Sequence, residues 1–188
     1  MIIRQAREED FGDIRVFVAQ AFATAAMRNG DEQDFVDRMR ASADFLPELA
    51  LVAEDVGAIT GFILLTRTAI ADGQARYAAL LLAPLAVAQA YRNQGLGTRL
   101  VREAFARARD LGHALVLLVG DPGYYRRFGL FPPPTAASGT TMRTLPRSGC
   151  WCAPSRPPPW PGCAARWKVF RREAAQADFF RCAWGQNP

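Results

Sequence analysis

The fold of this chain is decided by the stretch Tyr91-Arg92-Asn93-Gln94-Gly95-Leu96-Gly97-Thr98. The stretch joins an apolar, strand-like run over residues 79–87 to an amphipathic, helix-like run over residues 98–111. The first N–H groups of a helix have no intrahelical partners, and the helix dipole favours negative charge there. Because Gly95 and Gly97 carry no side chain, the backbone can approach a phosphate closely. The stretch therefore predicts a site for a phosphate-bearing ligand.

The spacing of the glycines distinguishes this turn from two common phosphate loops. It is not the G-x-G-x-x-G of dinucleotide-binding folds, and it lacks the Lys-Ser/Thr end of a P-loop. Arg92 stands three residues before Gly95 in an Arg-x-x-Gly-x-Gly pattern, and its guanidinium can add a charge-assisted bond to a phosphate. Alone, this pattern also fits an ordinary strand-to-helix turn, so the flanking sequence has to decide.

The flanking segments indicate a known family. Upstream lies the run Leu82-Ala83-Pro84-Leu85-Ala86-Val87, and downstream lie a second buried strand over residues 114–119 and the segment Tyr124-Tyr125-Arg126-Arg127-Phe128-Gly129-Leu130. The last segment is similar to the Tyr-x-x-x-Gly-Phe signature of GNAT acyltransferases, with Leu130 where Phe is usual. Together the pieces span residues 1–131 and resemble the GNAT superfamily of acyl-CoA-dependent N-acyltransferases, in particular its YhbS-like bacterial branch.

The resemblance implies an α/β fold with a mixed, mostly antiparallel sheet and helices on both faces. In such a fold the fourth and fifth strands splay apart, and the pantetheine arm lies in the gap. Pro84 lies in the fourth strand and cannot donate to a ladder, which predicts a bulge there. The alternative is a strand that ends at Ala83.

The resemblance also implies a function. It predicts an acetyl-CoA-dependent N-acetyltransferase in which a primary amine attacks the thioester directly in a ternary complex. Acetyl-CoA is then a cosubstrate, no metal is required, and the acceptor is a small-molecule amine or a protein amine. The competing hypothesis is an acetyl-CoA-binding module without turnover.

The family's binding roles transfer onto a short part of this chain. Backbone groups in the fourth strand are expected to bind pantetheine and polarise the thioester carbonyl. The backbone of the glycine-rich turn is expected to cradle the pyrophosphate beside Arg92. The residues expected to bind the cofactor are Leu85, Ala86, Val87, Arg92, Asn93, Gln94, Gly95, Leu96, Gly97 and Thr98.

Tyr125 is the candidate catalytic residue. It matches the family tyrosine that donates a proton to the CoA thiolate, and an ordinary tyrosine pKa near 10 suits that task. The alternative is that Tyr125 is a packing aromatic. No general base can be identified, since Glu54 and Asp55 are more simply explained as solvated turn residues.

Other chemistries have little support in the sequence. The chain has one histidine, His113, whose place between a helix and a strand predicts capping or packing rather than catalysis. Residues 1–134 contain one serine and no cysteine, which argues against a nucleophilic triad. The four cysteines, at 150, 152, 163 and 182, do not have the C-x-x-C spacing of a zinc site.

Composition divides the chain near Pro134. Residues 1–131 have a net charge of −1 and residues 132–188 a net charge of +6, so the basic balance belongs to the tail. All Cys and Trp residues lie after residue 149, and ten of the 13 Pro lie after residue 131. We therefore predict a GNAT domain over residues 1–134, an atypical tail over residues 135–188, and no nucleic-acid binding by the domain.

The tail has the composition that GC-rich DNA yields in a wrong reading frame. With GC-rich codons, residues 147–167 can be re-read two nucleotides later as a run that resembles the family's last strand and turn. The alternative is a genuine, lineage-specific tail. In either case a Pro-rich, basic segment without apolar periodicity is expected to be weakly ordered and to make few contacts with the domain, except where Trp or Phe side chains lie over an exposed sheet edge. If the original last strand is missing, the sheet keeps an unpaired edge that favours self-association, such as a homodimer.

The remaining pattern is that of an ordinary globular domain. Strands are predicted over residues 2–4, 49–53 and 59–65, and helices over residues 11–22 and 31–43. The apolar runs are too short to span a bilayer, and the charged start lacks the apolar core of a signal peptide. We therefore expect a cytoplasmic protein that does not bind membranes.

Overall fold

The computed structural model describes residues 1–25, 28–72, 75–130 and 149–154. The chain forms a mixed α/β fold, with short 3₁₀ turns between several of its elements. The strands are β1 (Ile2–Gln5), β2 (Ala50–Asp55), β3 (Ala58–Asp72), β4 (Ala75–Val87), β5 (Leu115–Gly120) and β6 (Gly149–Pro154). The helices are α1 (Phe11–Ala23), α2 (Glu32–Arg40), α3 (Leu96–Asp110) and α4 (Pro122–Tyr125).

The strands follow one another in the sheet in the order β1-β2-β3-β4-β5-β6. The sheet is mostly antiparallel, and β4 and β5 are its parallel pair. This confirms the predicted mixed sheet of GNAT type. The contacts along the chain form two compact units, one of Met1–Arg67 with Leu80–His113, and the other of Thr68–Ala79 with the described residues from Ala114 onward.

In the first unit, one face of the sheet is covered by α1 and α2. Side chains alternate between the two faces of a strand, and Val52 and Phe62 are cross-strand partners on the same face. They pack in one core cluster with residues that recur at helical spacing along α1, so the predicted amphipathic helix is confirmed. The α1 residues in this cluster are Phe11, Ile14, Phe17, Val18 and Ala21.

The opposite face of the same strands is covered by α3. Ala53 and Gly61 are cross-strand partners there. A Cβ atom at Gly61 would lie 2.8 Å from Leu100 Cδ1 and 3.2 Å from Ala53 Cβ. A side chain at position 61 would therefore displace Leu100, and glycine lets the side chains of α3 pack onto the backbone of β3.

A β-bulge near the end of β2 positions the chain after β4. The register between β2 and β3 shifts at Ala53 and Glu54, so that Thr60 has no cross-strand partner in the ladder. The Thr60 hydroxyl donates to Ala53 O at 3.2 Å, and Ala88 N donates to Thr60 O at 2.9 Å. Ala88, the residue that follows β4, is thus hydrogen-bonded to β3.

β4 continues through a buried Pro84 to Val87, as predicted, so the alternative of a strand ending at Ala83 is wrong, while the bulge at Pro84 stays a prediction. Other boundaries differ from the structure: β3 runs on to Asp72 rather than ending at residue 65. α3 begins at Leu96 rather than at Thr98, because the left-handed Gly95 serves as its N-cap. α2 covers Glu32–Arg40, a shorter stretch than the predicted 31–43.

In the second unit, β5 pairs antiparallel with β6, from Leu115 opposite Pro154 to Gly120 opposite Gly149. These six residues of the tail differ from the expectation of few contacts with the domain. The physical reason is that a strand edge presents unpaired N–H and C=O groups, which an extended segment can pair with largely independently of its side chains. Residues 131–148 and 155–188 lie outside the described residues, so the domain boundary, the order of most of the tail and the frameshift hypothesis remain predictions.

Candidate functional site

The candidate site is built on residues 91–98, which we call the phosphate turn. Asn93 and Gly95 have φ angles of 59° and 82°, and these left-handed residues lead the chain from the end of β4 into α3. The first helical hydrogen bond runs from Arg99 N to Gly95 O at 3.0 Å. The N–H groups that precede it in the helix therefore lack intrahelical acceptors, as an anion site requires.

Gly95 has an open outer face. No heavy atom lies within 4 Å of the position that a Cβ would occupy, and the residue is exposed. A side chain here would project into the space above the turn, and it would also be strained by the positive φ. At the other end of α3, Gly112 has a similar φ of 86° and a similarly open Cβ position.

The guanidinium of Arg92 is directed at backbone carbonyls. Its Nε donates to Val87 O at 3.1 Å, and Nη2 donates to Ala21 O at 2.6 Å. Nη1 makes a long contact of 3.5 Å with Thr24 O. The structure thus places this side chain between the end of β4 and the end of α1. The phosphate bond expected from Arg92 stays a prediction.

The rest of the turn is held by two further side chains. Gln94 Nε2 donates to Ala90 O at 2.6 Å. The Tyr91 hydroxyl donates to Asp55 Oδ2 at 2.9 Å, which raises the pKa of Tyr91 above its usual value. The pKa of Asp55 is lowered by the amino group of Met1, 2.9 Å from Oδ1, and by the Tyr91 hydrogen bond. Asp55 is therefore held ionised and is a weak proton acceptor.

Glu54, the other carboxylate considered as a base, is also engaged. Its Oε2 accepts from Arg4 Nε at 2.7 Å, while Arg4 also donates to both carboxylate oxygens of Asp10, at 2.6 and 2.9 Å. The hydrogen bond from Arg4 lowers the pKa of Asp10, and the hydrogen bond to Asp10 raises that of Arg4. The local sequence offers no sign of this network, because its members come from separate segments. A general base remains unassigned.

The β4 segment predicted to bind pantetheine is partly accessible. Leu85 and Val87 are half-buried, whereas Ala86 is only 2 % exposed and belongs to the core cluster. Since side chains alternate along a strand, Leu85 and Val87 lie on the side opposite to Ala86. The carbonyl of Val87 accepts the Arg92 bond, so the end of this segment and the phosphate turn are directly connected.

Tyr125 ends α4 in the second unit and is 8 % exposed. Its ring packs on the backbone of Gly120, where an added Cβ would lie 3.0 Å from Cδ2 and still closer to Cε2. Tyr124 packs edge-on against it, with ring centroids 4.9 Å apart. Burial, and to a lesser extent Tyr124, raises the pKa of Tyr125 above that of an ordinary tyrosine. Sequence reasoning identified Tyr125 but missed Gly120, whose role depends on this contact.

His113 follows α3, and its backbone N–H donates to Ala108 O at 2.9 Å. Burial, with a smaller contribution from the charge of Arg67, lowers the pKa of His113. The imidazole is therefore neutral at pH 7, which fits the predicted capping or packing role.

A cavity of about 550 Å³ lies away from the phosphate turn. It is lined by Arg4, Gln5, Ala6, Arg7, Glu8, Phe11, Phe45 and Pro47. Within the described part of the chain, no group of three or more His, Cys, Asp or Glu side chains is arranged to hold a metal ion. Cys163 and Cys182 lie outside the described residues. No helix among the described residues combines the length and apolar character needed to cross a membrane.

Comparison with known proteins relates residues 2–132 to the family described as Acetyltransferase (GNAT) domain. The chain is 32% identical over 125 residues to the uncharacterized N-acetyltransferase YjhQ of Escherichia coli K12, which covers 66% of each protein. It is 37% identical over 82 residues to the uncharacterized N-acetyltransferase YhbS of the same strain, covering 43% of this chain and 48% of YhbS. The matches thus span just under two thirds of YjhQ and about half of YhbS.

Two solved structures extend the likeness over most of the chain. One is a GNAT family acetyltransferase from Brucella melitensis in complex with acetyl-CoA, with a TM-score of 0.66, 31% identity, and coverage of 83% of this chain and 88% of that one. The other is YhbS from Escherichia coli in complex with CoA, with a TM-score of 0.64, 26% identity, and coverage of 81% and 80%.

Proposed function

The chain belongs to the GNAT acetyltransferase family, and we propose that it transfers an acetyl group from acetyl-CoA to a primary amine in a ternary complex. The observation that carries the proposal is the phosphate turn, which follows β4 and has an exposed left-handed glycine at the N-terminus of a 15-residue helix. The likeness to proteins solved with acetyl-CoA and CoA supports this choice of cosubstrate.

In the proposed binding mode, the backbone of residues 93–98 holds the pyrophosphate. The charge of the phosphates is met by unpaired N–H groups and the positive end of the α3 dipole. The backbone of residues 85–87 binds the pantetheine arm, as in the family. These interactions position the thioester, and holding two reactants in place can supply much of the rate enhancement.

The reaction itself is a simple displacement. The nitrogen of a neutral amine attacks the thioester carbonyl carbon, and a C–N bond forms as the carbonyl oxygen takes up negative charge. A backbone N–H in the β4 segment stabilises that oxygen. The C–S bond then breaks, the thiolate of CoA takes a proton, and the amine nitrogen loses one proton to water.

We propose that Tyr125 donates the proton to the thiolate. Because its pKa is raised, the hydroxyl is fully protonated at neutral pH and has a proton to donate. The same shift makes Tyr125 a weaker acid than an ordinary tyrosine, so the hydroxyl first hydrogen-bonds the developing thiolate and gives up its proton as the C–S bond breaks. If the ring only packs, Tyr125→Phe leaves turnover unchanged.

The acceptor is proposed only as a class, a small-molecule or protein amine. We also propose a cytoplasmic location, where acetyl-CoA is available, and we retain a homodimer as an expectation for solution scattering to check.

A matched pair of glycine variants tests the binding mode. Gly95→Val places a side chain over the phosphate turn, while Gly112→Val introduces the same residue at the opposite end of α3 with nearly the same φ and open space. Both variants carry comparable backbone strain, so their melting temperatures should fall alike. Only Gly95→Val should weaken acetyl-CoA binding, by tenfold or more, about 1.4 kcal/mol. Calorimetry showing equal affinities for the two variants would refute the assignment.

Turnover is tested separately by release of the free CoA thiol with a panel of amines. Thiol release that depends on an added amine supports the enzyme. Tight acetyl-CoA binding without release from small amines, peptide N-termini or lysine peptides supports the alternative, a binding module without turnover.

A further inference from the structure

Arg92 connects three elements that are distant in sequence. Through Val87 O it holds the end of β4, and through Ala21 O and Thr24 O it reaches the last turn of α1, about 70 residues earlier in the chain. Its own backbone is part of the phosphate turn. One side chain thus links the proposed cofactor cradle to a helix end that the cradle does not otherwise include.

The contact with α1 is favourable for a physical reason. The last carbonyls of a helix have no intrahelical donors and carry the negative end of the helix dipole, so a guanidinium there is well placed. Ala21 and Thr24 lie in the final turn and at the C-cap of α1. A planar guanidinium can serve several carbonyls at once because its five N–H donors point in different directions, whereas a lysine ammonium is a single point charge.

The geometry also limits what Arg92 can give to a phosphate. Three of its nitrogens already face protein carbonyls, and the bond to Ala21 O, at 2.6 Å, is the shortest of them. These contacts use one N–H of each nitrogen, so a phosphate bond could come only from the second N–H of Nη1 or Nη2, whose directions the carbonyl contacts fix. The effect of Arg92 on cofactor binding is therefore expected to pass through the backbone it positions.

We propose that Arg92 is a positioning residue that couples occupation of the phosphate turn to the order of the C-terminal turn of α1. Acetyl-CoA on the turn immobilises the Arg92 backbone, and the side chain carries that order to residues 21–25. This inference rests on the proposed function. Coupling is reciprocal: the factor by which acetyl-CoA shifts the end of α1 toward its ordered state equals the factor by which that ordered state raises the affinity for acetyl-CoA.

Hydrogen exchange with and without acetyl-CoA tests the coupling in the unmodified protein. The amides of residues 22–25 should exchange more slowly when acetyl-CoA is bound, by about tenfold, within the usual range of coupling factors. In Arg92→Gln and in Arg92→Lys this ligand-dependent protection should disappear, and the Kd for acetyl-CoA should rise by a similar factor. Arg102→Gln, an exposed arginine of α3, is the control and should behave as the wild type.

The lysine variant separates the two roles of Arg92. If Arg92 bound the phosphate directly, a lysine at this position would largely take over that bond. Near-normal affinity for acetyl-CoA in Arg92→Lys, with a loss of affinity in Arg92→Gln, would therefore overturn the proposal. Equal protection of residues 22–25 in wild type and both variants also overturns it. If wild-type protein binds acetyl-CoA but hydrogen exchange in α1 does not slow, the coupling is refuted and the proposed function stands. Failure of wild-type protein to bind acetyl-CoA refutes the proposed function and the coupling together.

Discussion

The variant Gly120→Ala, which adds one methyl group, tests whether catalysis depends on where the Tyr125 ring lies. An alanine Cβ would lie 3.0 Å from Tyr125 Cδ2 and closer still to Cε2, whereas non-bonded carbons prefer about 3.5–4.0 Å. The ring therefore has to move by about 1 Å. Because Tyr125 is buried, overpacking should cost about 1–3 kcal/mol of stability.

The kinetic effect should be larger than the loss of stability suggests. A misplacement of about 1 Å in a catalytic group can cost about 100-fold in rate. We expect Gly120→Ala to lower kcat by about 10- to 100-fold while the Kd for acetyl-CoA stays unchanged. Gly123→Ala is the control, a glycine of α4, the helix that carries Tyr125, since its Cβ would meet Asp121 Oδ1 at an ordinary 3.4 Å.

A double variant shows whether Gly120 acts through the hydroxyl. If it does, Gly120→Ala in a Tyr125→Phe background should add little further loss of kcat, because the group that it displaces is already absent. Steady-state kinetics with one identified amine measure all four proteins. Full additivity of the two changes, or a normal kcat in Gly120→Ala protein with a lowered melting temperature, would refute the reasoning.

Two further predictions concern packing and pH. In Gly61→Ala the new Cβ would lie 2.8 Å from Leu100 Cδ1, so the free energy of unfolding measured in urea should fall by about 1–3 kcal/mol. The control, Gly12→Ala, lies in open space on α1 and should not be destabilised. Equal urea midpoints for the two variants would contradict the close approach of α3. Because burial raises the pKa of Tyr125, its hydroxyl stays protonated past the ordinary tyrosine value of about 10, and kcat should show no alkaline loss due to Tyr125 below that pH. A fall below pH 10 that Tyr125→Phe abolishes would show that the hydroxyl is more acidic than its burial implies.

The sequence was sufficient for the phosphate turn and for the class of fold. A left-handed glycine, an apolar strand and an amphipathic helix are local features, and their order along the chain predicts a strand, a turn and a helix without knowledge of distant contacts. The resemblance of residues 1–131 to the GNAT superfamily follows from the same local motifs. The start of α3 was misplaced by two residues because Gly95 ends the turn as an N-cap, which depends on its backbone angles.

The tertiary structure decided what the side chains of the site contact. Arg92 bonds to Ala21 and Thr24, Tyr91 bonds to Asp55, and Tyr125 packs on Gly120. The first two are pairs from distant segments, and the third depends on how a short helix folds back onto a strand. Periodicity along a chain reports which face of an element is buried, but it does not report which residue of another element lies opposite. The sequence thus determined a GNAT fold and predicted an anion-binding turn within it. Only the packing of α1 against the end of β4 decided which carbonyls the Arg92 guanidinium contacts.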